Sequence, residues 1–90
     1  MAHLLTFELE PDGEELLIHG DAAGLRLLAA ELERLAQTAA DGEADHAHLL
    51  TESWGGSELT EQRQGTNREI RLIHHVKAYG WPARQSDDST

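Results

Sequence analysis

The feature that most constrains the fold is a single stretch of helical periodicity between Asp21 and Ala40. Apolar residues recur there at steps of three or four and form one stripe along a helix. The stripe consists of Leu25, Leu28, Leu32, Leu35 and Ala39, with Ala29 and Ala36 beside it. The spacing therefore predicts one amphipathic helix whose stripe packs on a sheet, while Glu31, Glu33, Arg34 and Gln37 face water.

The ends of this helix carry recognisable signals. Asp21 is a good N-cap, because its carboxylate can accept a hydrogen bond from a free amide of the first turn. Gly42 is a suitable stop. Gly24 is unusual, since glycine inside a helix costs up to about 1 kcal/mol relative to alanine. Either the close approach of another backbone segment or a frayed helix start would account for it.

Alternation of apolar and polar residues predicts four strands, at 4–10, 15–19, 46–52 and 69–79. Pro11 and Gly13 place a tight turn between the first two strands, which then form a hairpin. The expected fold is α+β in the order β-β-α-β-β, a four-stranded, mainly antiparallel sheet with one helix packed on one face. We expect a single domain over 1–82 and a disordered polar tail over 83–90.

The charge of the chain is strongly asymmetric. Residues 1–60 hold thirteen Asp and Glu against two Arg, and the formal net charge of all 90 residues is −10. Such a chain disfavours nucleic acid and attracts a basic partner, although acidity can also serve solubility alone. The N-terminus shows no signal peptide, and no apolar run could span a membrane. We therefore expect a cytoplasmic protein without a membrane partner.

The second face of the sheet also receives large apolar side chains from each strand. An apolar open face suits homodimerisation or another protein partner. The alternative is that the long loop 53–67, with Trp54, folds over this face.

The chain has no cysteine but six histidines, four of them in two close groups. His46 and His48 share one strand face, and His74 could join them if the last two strands are neighbours, which would make a three-histidine metal site. The alternative is that these histidines are half-buried strand residues. No arrangement of nucleophile, base and orienting group is present, so we expect neither an enzyme nor a cofactor.

Three aromatic residues lie at strand ends or in the long loop: Trp54, Tyr79 and Trp81. Aromatic side chains in such positions often anchor an interface. The alternative is that the two tryptophans pack on the sheet edge as part of the core.

Several segments together resemble a known family. They are Gly20-Asp21-Ala22-Ala23-Gly24-Leu25 with its following leucines, His46-Ala47-His48-Leu49, Trp54-Gly55-Gly56 with Glu58-Leu59-Thr60, and Ile73 to Pro82. This combination looks like the immunity protein 32 family of bacterial polymorphic toxin systems. The resemblance implies a small cytoplasmic protein that binds and neutralises a cognate toxin.

The acidic composition and the resemblance lead to the same interpretation. Carboxylates would cover the cationic surface of a basic toxin, and aromatic side chains would supply the buried anchors. The candidate carboxylates form a hairpin group and a loop group: Glu8, Glu10, Glu14 and Glu15, and Glu52, Glu58 and Glu61. The competing interpretation is a small homodimeric module, with histidine-dependent metal binding as one option.

Overall fold

A computed structural model describes residues 3–83. Its elements, in chain order, are β1 (Leu5–Leu9), β2 (Leu16–Gly20), α1 (Ala22–Ala40), β3 (Asp45–Leu50), a 3-10 turn (Glu52–Trp54), β4 (Arg71–Leu72) and β5 (His75–Gly80). The α+β class and the single long helix agree with the sequence-based prediction. The tail predicted at 83–90 lies, apart from Ala83, outside the described residues.

The first two strands form the expected antiparallel hairpin, with Leu5 opposite Gly20 and Leu9 opposite Leu16. The turn closes with a 2.8 Å hydrogen bond from the Gly13 amide to the Glu10 carbonyl. Gly13 adopts a φ of 75°, which an L side chain disfavours. The turn residues therefore set the register of the hairpin.

The prediction of one continuous fourth strand over 69–79 is wrong. The segment is split, because its first part pairs with β1 and its second part pairs with β3. Two hydrogen bonds mark the change of partner: the Ile73 amide donates to Phe7, and the His74 carbonyl accepts from Thr51. The described residues thus form two antiparallel sheets, in the orders β2-β1-β4 and β3-β5, instead of one four-stranded sheet.

Asp21 caps α1 as predicted, accepting a 2.7 Å hydrogen bond from the Gly24 amide. Gly24 is buried, and a Cβ there would overlap the carbonyl oxygen of Leu4. The same carbonyl accepts a hydrogen bond from the Asp21 amide. Close backbone approach, and not a frayed helix start, therefore explains the glycine in the first turn.

The core contains only part of the predicted helix stripe. Leu35 is buried, and Leu28 packs against a core cluster of Leu5, Phe7, Leu49 and Leu59. By contrast, Leu25 is 47% exposed and Leu32 is 49% exposed. Ala29 and Ala36 are exposed as well. The expectation that the whole stripe packs on the sheet is therefore wrong, because the stripe is wider than the surface that covers it.

The face of β1 opposite the core is also covered. Thr6 and Glu8 alternate with the core residues of β1 and are nevertheless fully buried. The amides of Gln64 and Gly65 reach the Glu8 carboxylate, so the second half of the long loop lies across this face. At β1, the alternative that the long loop folds over the open face is correct, although Trp54 itself remains exposed.

Candidate functional site

The candidate site is the segment that follows β3, residues 51–61. Thr51 precedes the 3-10 turn, and its carbonyl accepts hydrogen bonds of 2.9 Å from the Trp54 and Gly56 amides. Gly55 ends the turn in the left-handed region at φ 93°. A Cβ on Gly56 would overlap the Leu50 carbonyl. The two glycines after Trp54 are thus needed to bring the chain sharply back to β3.

The far end of the segment is fastened to both sheets. The Leu59 amide donates to the Leu50 carbonyl at 3.1 Å, and the Thr60 amide donates to the Leu5 carbonyl at 2.8 Å. Leu59 itself is 2% exposed and belongs to the core cluster. The loop predicted as irregular is therefore held in place by backbone pairing and by one buried side chain.

Two carboxylates of this segment are held by backbone amides. Glu58 accepts a 3.1 Å bond from the Leu50 amide, and Glu61 accepts bonds of 2.8 and 2.9 Å from the amide and hydroxyl of Ser53. The Leu50 amide lowers the pKa of Glu58, and the Ser53 amide lowers the pKa of Glu61. Hydrogen bonds to the charged form favour ionisation, so both groups carry negative charge at neutral pH.

Residues of the 51–61 segment border an open cleft of about 690 Å³, although Glu58 is not part of its wall. Its wall includes His3, Glu52, Ser53, Thr60 and Glu61. Glu52 is exposed. Residues 35–62 contain no Lys or Arg, so no cation from this part of the chain neutralises the cleft.

Trp54 stands at the edge of this segment and is 59% exposed. Its ring lies parallel to that of His74, with centroids 5.6 Å apart and planes 9° apart. The Nδ1 atom of His74 lies 2.7 Å from the Thr51 hydroxyl, which fixes the imidazole under the indole. The alternative that Trp54 packs as core is wrong, and its indole is an oriented surface group.

A second group of rings covers the outer face of the β3-β5 sheet. Nδ1 of His48 and Nε2 of His75 are 2.9 Å apart, and His46 contacts Tyr79 with a 5.6 Å centroid separation. Tyr79 stacks on Trp81, which is 67% exposed, so Trp81 is not part of the core either. Loss of hydration beside the neighbouring rings, followed by the electrostatic effect of His46, Lys77 and His75, lowers the pKa of the exposed His48.

The three-histidine set is not assembled as predicted. His74 points to Thr51 and Trp54, whereas the ring of His48 contacts those of His46 and His75. Within residues 3–83, no three His, Asp or Glu side chains are arranged to hold a metal ion. Residue alternation could have predicted that His75, and not His74, joins His46 and His48. His75 shares a strand face with Tyr79, and Tyr79 lies opposite His46 in the β3-β5 pairing.

The predicted hairpin carboxylates do not form one surface with the loop. Glu8 is fully buried and is therefore not part of the expected acidic surface: the amides of Gln64 and Gly65 occupy its oxygens. Glu14 and Glu15 are exposed and Glu10 is half-buried near the turn. They follow Leu9, whereas the 51–61 segment, which carries the loop carboxylates, meets β1 at Leu5. The structure therefore separates the acidic candidates to opposite ends of β1.

The hairpin group also has basic neighbours. Arg71 pairs with Leu9 in the β1-β4 ladder, and Arg68 precedes it by three residues. The loop group has no Lys or Arg within 51–61, and the first cation that follows it along the chain is Arg63. The loop segment therefore contains no cation of its own.

Comparison with known protein families decides the relationship of this chain. The family model for immunity protein 32 matches residues 15–75.

The chain belongs to the immunity protein 32 family.

The family match begins just before β2 and takes in α1, β3, the 51–61 segment and β4. It therefore includes Trp54, the loop carboxylates and the lining of the cleft apart from His3, whereas β1, Tyr79 and Trp81 lie outside it. No curated protein and no solved structure matches this immunity protein family member. None of its helices within residues 3–83 has the length and apolarity that crossing a membrane requires.

Proposed function

We propose that this protein binds and neutralises a cognate toxin, and that residues 52–61 supply the acidic part of the contact. Membership of the immunity protein 32 family supports the role in immunity. The proposed partner is a toxin domain with a cationic surface, such as one that binds a polyanionic substrate. The proposed place of action is the cytoplasm, and no catalytic step, cofactor or nucleic acid is part of the proposal.

The observation that carries the choice of surface is the uncompensated charge of this segment beside an exposed indole. Three carboxylates, those of Glu52, Glu58 and Glu61, lie within ten residues of chain, and no Lys or Arg occurs over 35–62. Trp54 projects from the same segment with 59% of its surface exposed. An acidic rim around an aromatic anchor matches the organisation of many protein interfaces, in which charge steers association and an aromatic residue supplies buried area.

The mechanism follows from charge complementarity. Carboxylates that occupy the cationic groups of the toxin would exclude its anionic substrate from the same groups. The hydrogen bonds to Glu58 and Glu61 fix these two carboxylates before the partner arrives, so less side-chain entropy is lost on binding. Glu52 is exposed and best placed for direct contact.

The stacked pair Tyr79 and Trp81 extends the proposal to a second contact, because both rings are exposed and ordered against each other.

The competing proposal, a histidine-dependent metal-binding module, has less support. Its three histidines are divided between two places, with His74 beneath Trp54 and the other two on the outer face of the β3-β5 sheet. We therefore do not adopt it.

The test begins with capture of the partner from the native host, using the full chain as bait at low and high salt. Mass spectrometry should identify one stoichiometric toxin domain whose retention falls with salt. The captured domain is then produced on its own, and its affinity for variants of the immunity protein is measured by calorimetry.

Two charge reversals form a matched pair, because both glutamates are exposed and both substitutions change the net charge equally. Glu52→Lys should weaken binding by about tenfold to a hundredfold, since it replaces an attraction by a repulsion at the contact. Glu15→Lys, on the hairpin, should change affinity by less than about threefold through long-range charge alone. If the two effects are reversed, the hairpin and not the loop is the contact surface. Recovery of no toxin-like partner under any condition would contradict the proposal itself.

A further inference from the structure

The helix α1 has an exposed apolar stripe that the fold does not use. Leu25 is 47% exposed and Leu32 is 49% exposed, although both belong to the helical repeat. Ala29 and Ala36 lie between and beyond these leucines and are exposed too, so the exposed stripe consists of Leu25, Ala29, Leu32 and Ala36. Two half-exposed leucines on one helix face of a 90-residue chain leave an apolar surface that a second protein surface can bury.

The spacing of this stripe is that of a helix–helix seam. Its members follow one another at steps of four, three and four residues, which is the repeat of the a and d positions in coiled coils. Leucine and alanine alternate along it, so large side chains alternate with small ones. A stripe of this kind is complementary to an antiparallel copy of itself: Leu25 faces Ala36 of the second copy, and Ala29 faces Leu32 of the second copy.

The charges of α1 favour a second copy over a basic partner. The helix carries two arginines and two glutamates, which sum to zero, whereas the whole chain carries −10. A cationic toxin has no electrostatic reason to choose this neutral surface. A second copy meets no net repulsion here, and repulsion between the acidic parts of two copies is weakest where the local charge is zero.

The individual charges beside the stripe are complementary as well. Arg26 directly follows Leu25, and Glu33 directly follows Leu32, so both lie along the same flank of the stripe. Neither belongs to an ion pair within residues 3–83, whereas Arg34 is already bound to Glu31 and Asp45. In the antiparallel arrangement, Arg26 and Glu33 of the second copy are offset along the helix axis by only two residues, or about 3 Å.

We propose that this protein forms a homodimer through α1, with the two helices antiparallel and the twofold axis crossing the stripe between residues 30 and 31. Two Leu25–Ala36 contacts and two Leu32–Ala29 contacts form the seam. Two symmetric Arg26–Glu33 ion pairs border it. This interface uses the helix face, whereas the sequence predicted a dimer through the open face of the sheet. The inference does not depend on toxin binding.

The first measurement is the mass of the full chain by sedimentation or light scattering across the micromolar range. One chain weighs 9.9 kDa, so a dimer has twice that mass. Replacing both stripe leucines, Leu25→Gln and Leu32→Gln, should raise the dissociation constant of the dimer at least about tenfold. The matched control is Leu16→Gln with Ile18→Gln, because these β2 residues are 53% and 46% exposed and lie outside the stripe. The control should leave the dimer intact.

Charge exchange tests the geometry without removing apolar area. Arg26→Glu alone and Glu33→Arg alone should each weaken self-association, because each places like charges opposite one another. An equimolar mixture of these two single variants should form a heterodimer, since all its facing charges are then opposite. The double variant with both substitutions should regain the wild-type dissociation constant.

Three outcomes would overturn the inference. A wild-type chain that stays monomeric throughout the micromolar range has no such interface. A dimer that the β2 control dissociates and the stripe variant does not is formed by another surface. Failure of the mixture to associate would contradict the antiparallel arrangement. Circular dichroism of each variant verifies that the helix is retained, so that unfolding is not read as dissociation.

Discussion

The burial of Glu8 makes a strong prediction about stability. Its carboxylate is fully buried and accepts three hydrogen bonds: from the Thr6 hydroxyl at 2.7 Å, from the Gln64 amide at 2.8 Å and from the Gly65 amide at 2.9 Å. Nε2 of His19 lies 3.9 Å away. This single side chain therefore fastens the 60–65 segment to the central strand β1.

The magnitude follows from the groups that Glu8→Ala would leave unpaired. The Thr6 hydroxyl can rotate, and the two backbone amides are part-buried, so each lost partner costs near the lower end of about 1–3 kcal/mol. We expect Glu8→Ala to lower the free energy of unfolding by about 2–3 kcal/mol. That is a substantial part of the roughly 5–15 kcal/mol typical of a whole domain. The melting temperature should fall by about 10–20 °C at about 4–8 °C per kcal/mol.

The assay is urea denaturation at neutral pH followed by circular dichroism, with Glu15→Ala as the control. Glu15 is exposed, so its loss should change the free energy of unfolding by less than about 0.5 kcal/mol. If Glu8→Ala costs less than about 1 kcal/mol, the two amides find other partners and the reasoning fails.

The pH dependence gives an independent check on Glu8. Burial raises its pKa, but the hydrogen bonds from Gln64, Thr6 and Gly65 and the nearby His19 outweigh it, so the pKa lies below its ordinary 4.5. A depressed carboxyl pKa stabilises the fold above the unfolded pKa, and that stability is lost as pH falls through the folded pKa. The stability difference between wild type and Glu8→Gln should therefore narrow below pH 4.5. A constant difference would contradict an ionised Glu8.

Two further predictions concern the helix start and the histidines. Gly24→Ala should lower the free energy of unfolding by about 3 kcal/mol, because its Cβ would overlap the Leu4 carbonyl. The control Ala23→Gly should lower it by about 1 kcal/mol or less. Similar losses for the two variants in denaturant melts would refute the steric explanation. The pKa of His48 is lowered from 6.5, so the unfolded chain binds the proton more readily and stability should fall as pH drops below 6.5. His48→Gln should reduce this loss of stability, measured in melts between neutral and mildly acidic pH. An unchanged pH profile would show that His48 does not cause the loss.

Local patterns were sufficient for the local elements. The helix from Ala22 to Ala40, its Asp21 cap and the first hairpin depend on residues that are neighbours in sequence, so periodicity and turn chemistry could predict them. The family resemblance also rests on short contiguous segments, and the match to the immunity protein 32 model confirms it. The carboxylates and Trp54 of the loop could be proposed as a site because they occur within one short stretch.

The sequence by itself thus determined the α+β class, the helix and its cap, the acidic character and the family. Only the tertiary structure decided which similar residues differ in environment. Glu8 and Glu10 occupy equivalent polar positions of the strand predicted over 4–10, yet the 60–65 segment covers Glu8. Likewise, Leu28 and Leu32 belong to one repeat, yet only Leu28 packs against the core. The physical reason is that burial and strand partners depend on contacts between residues distant in sequence, whereas periodicity records only which face of an element a side chain occupies.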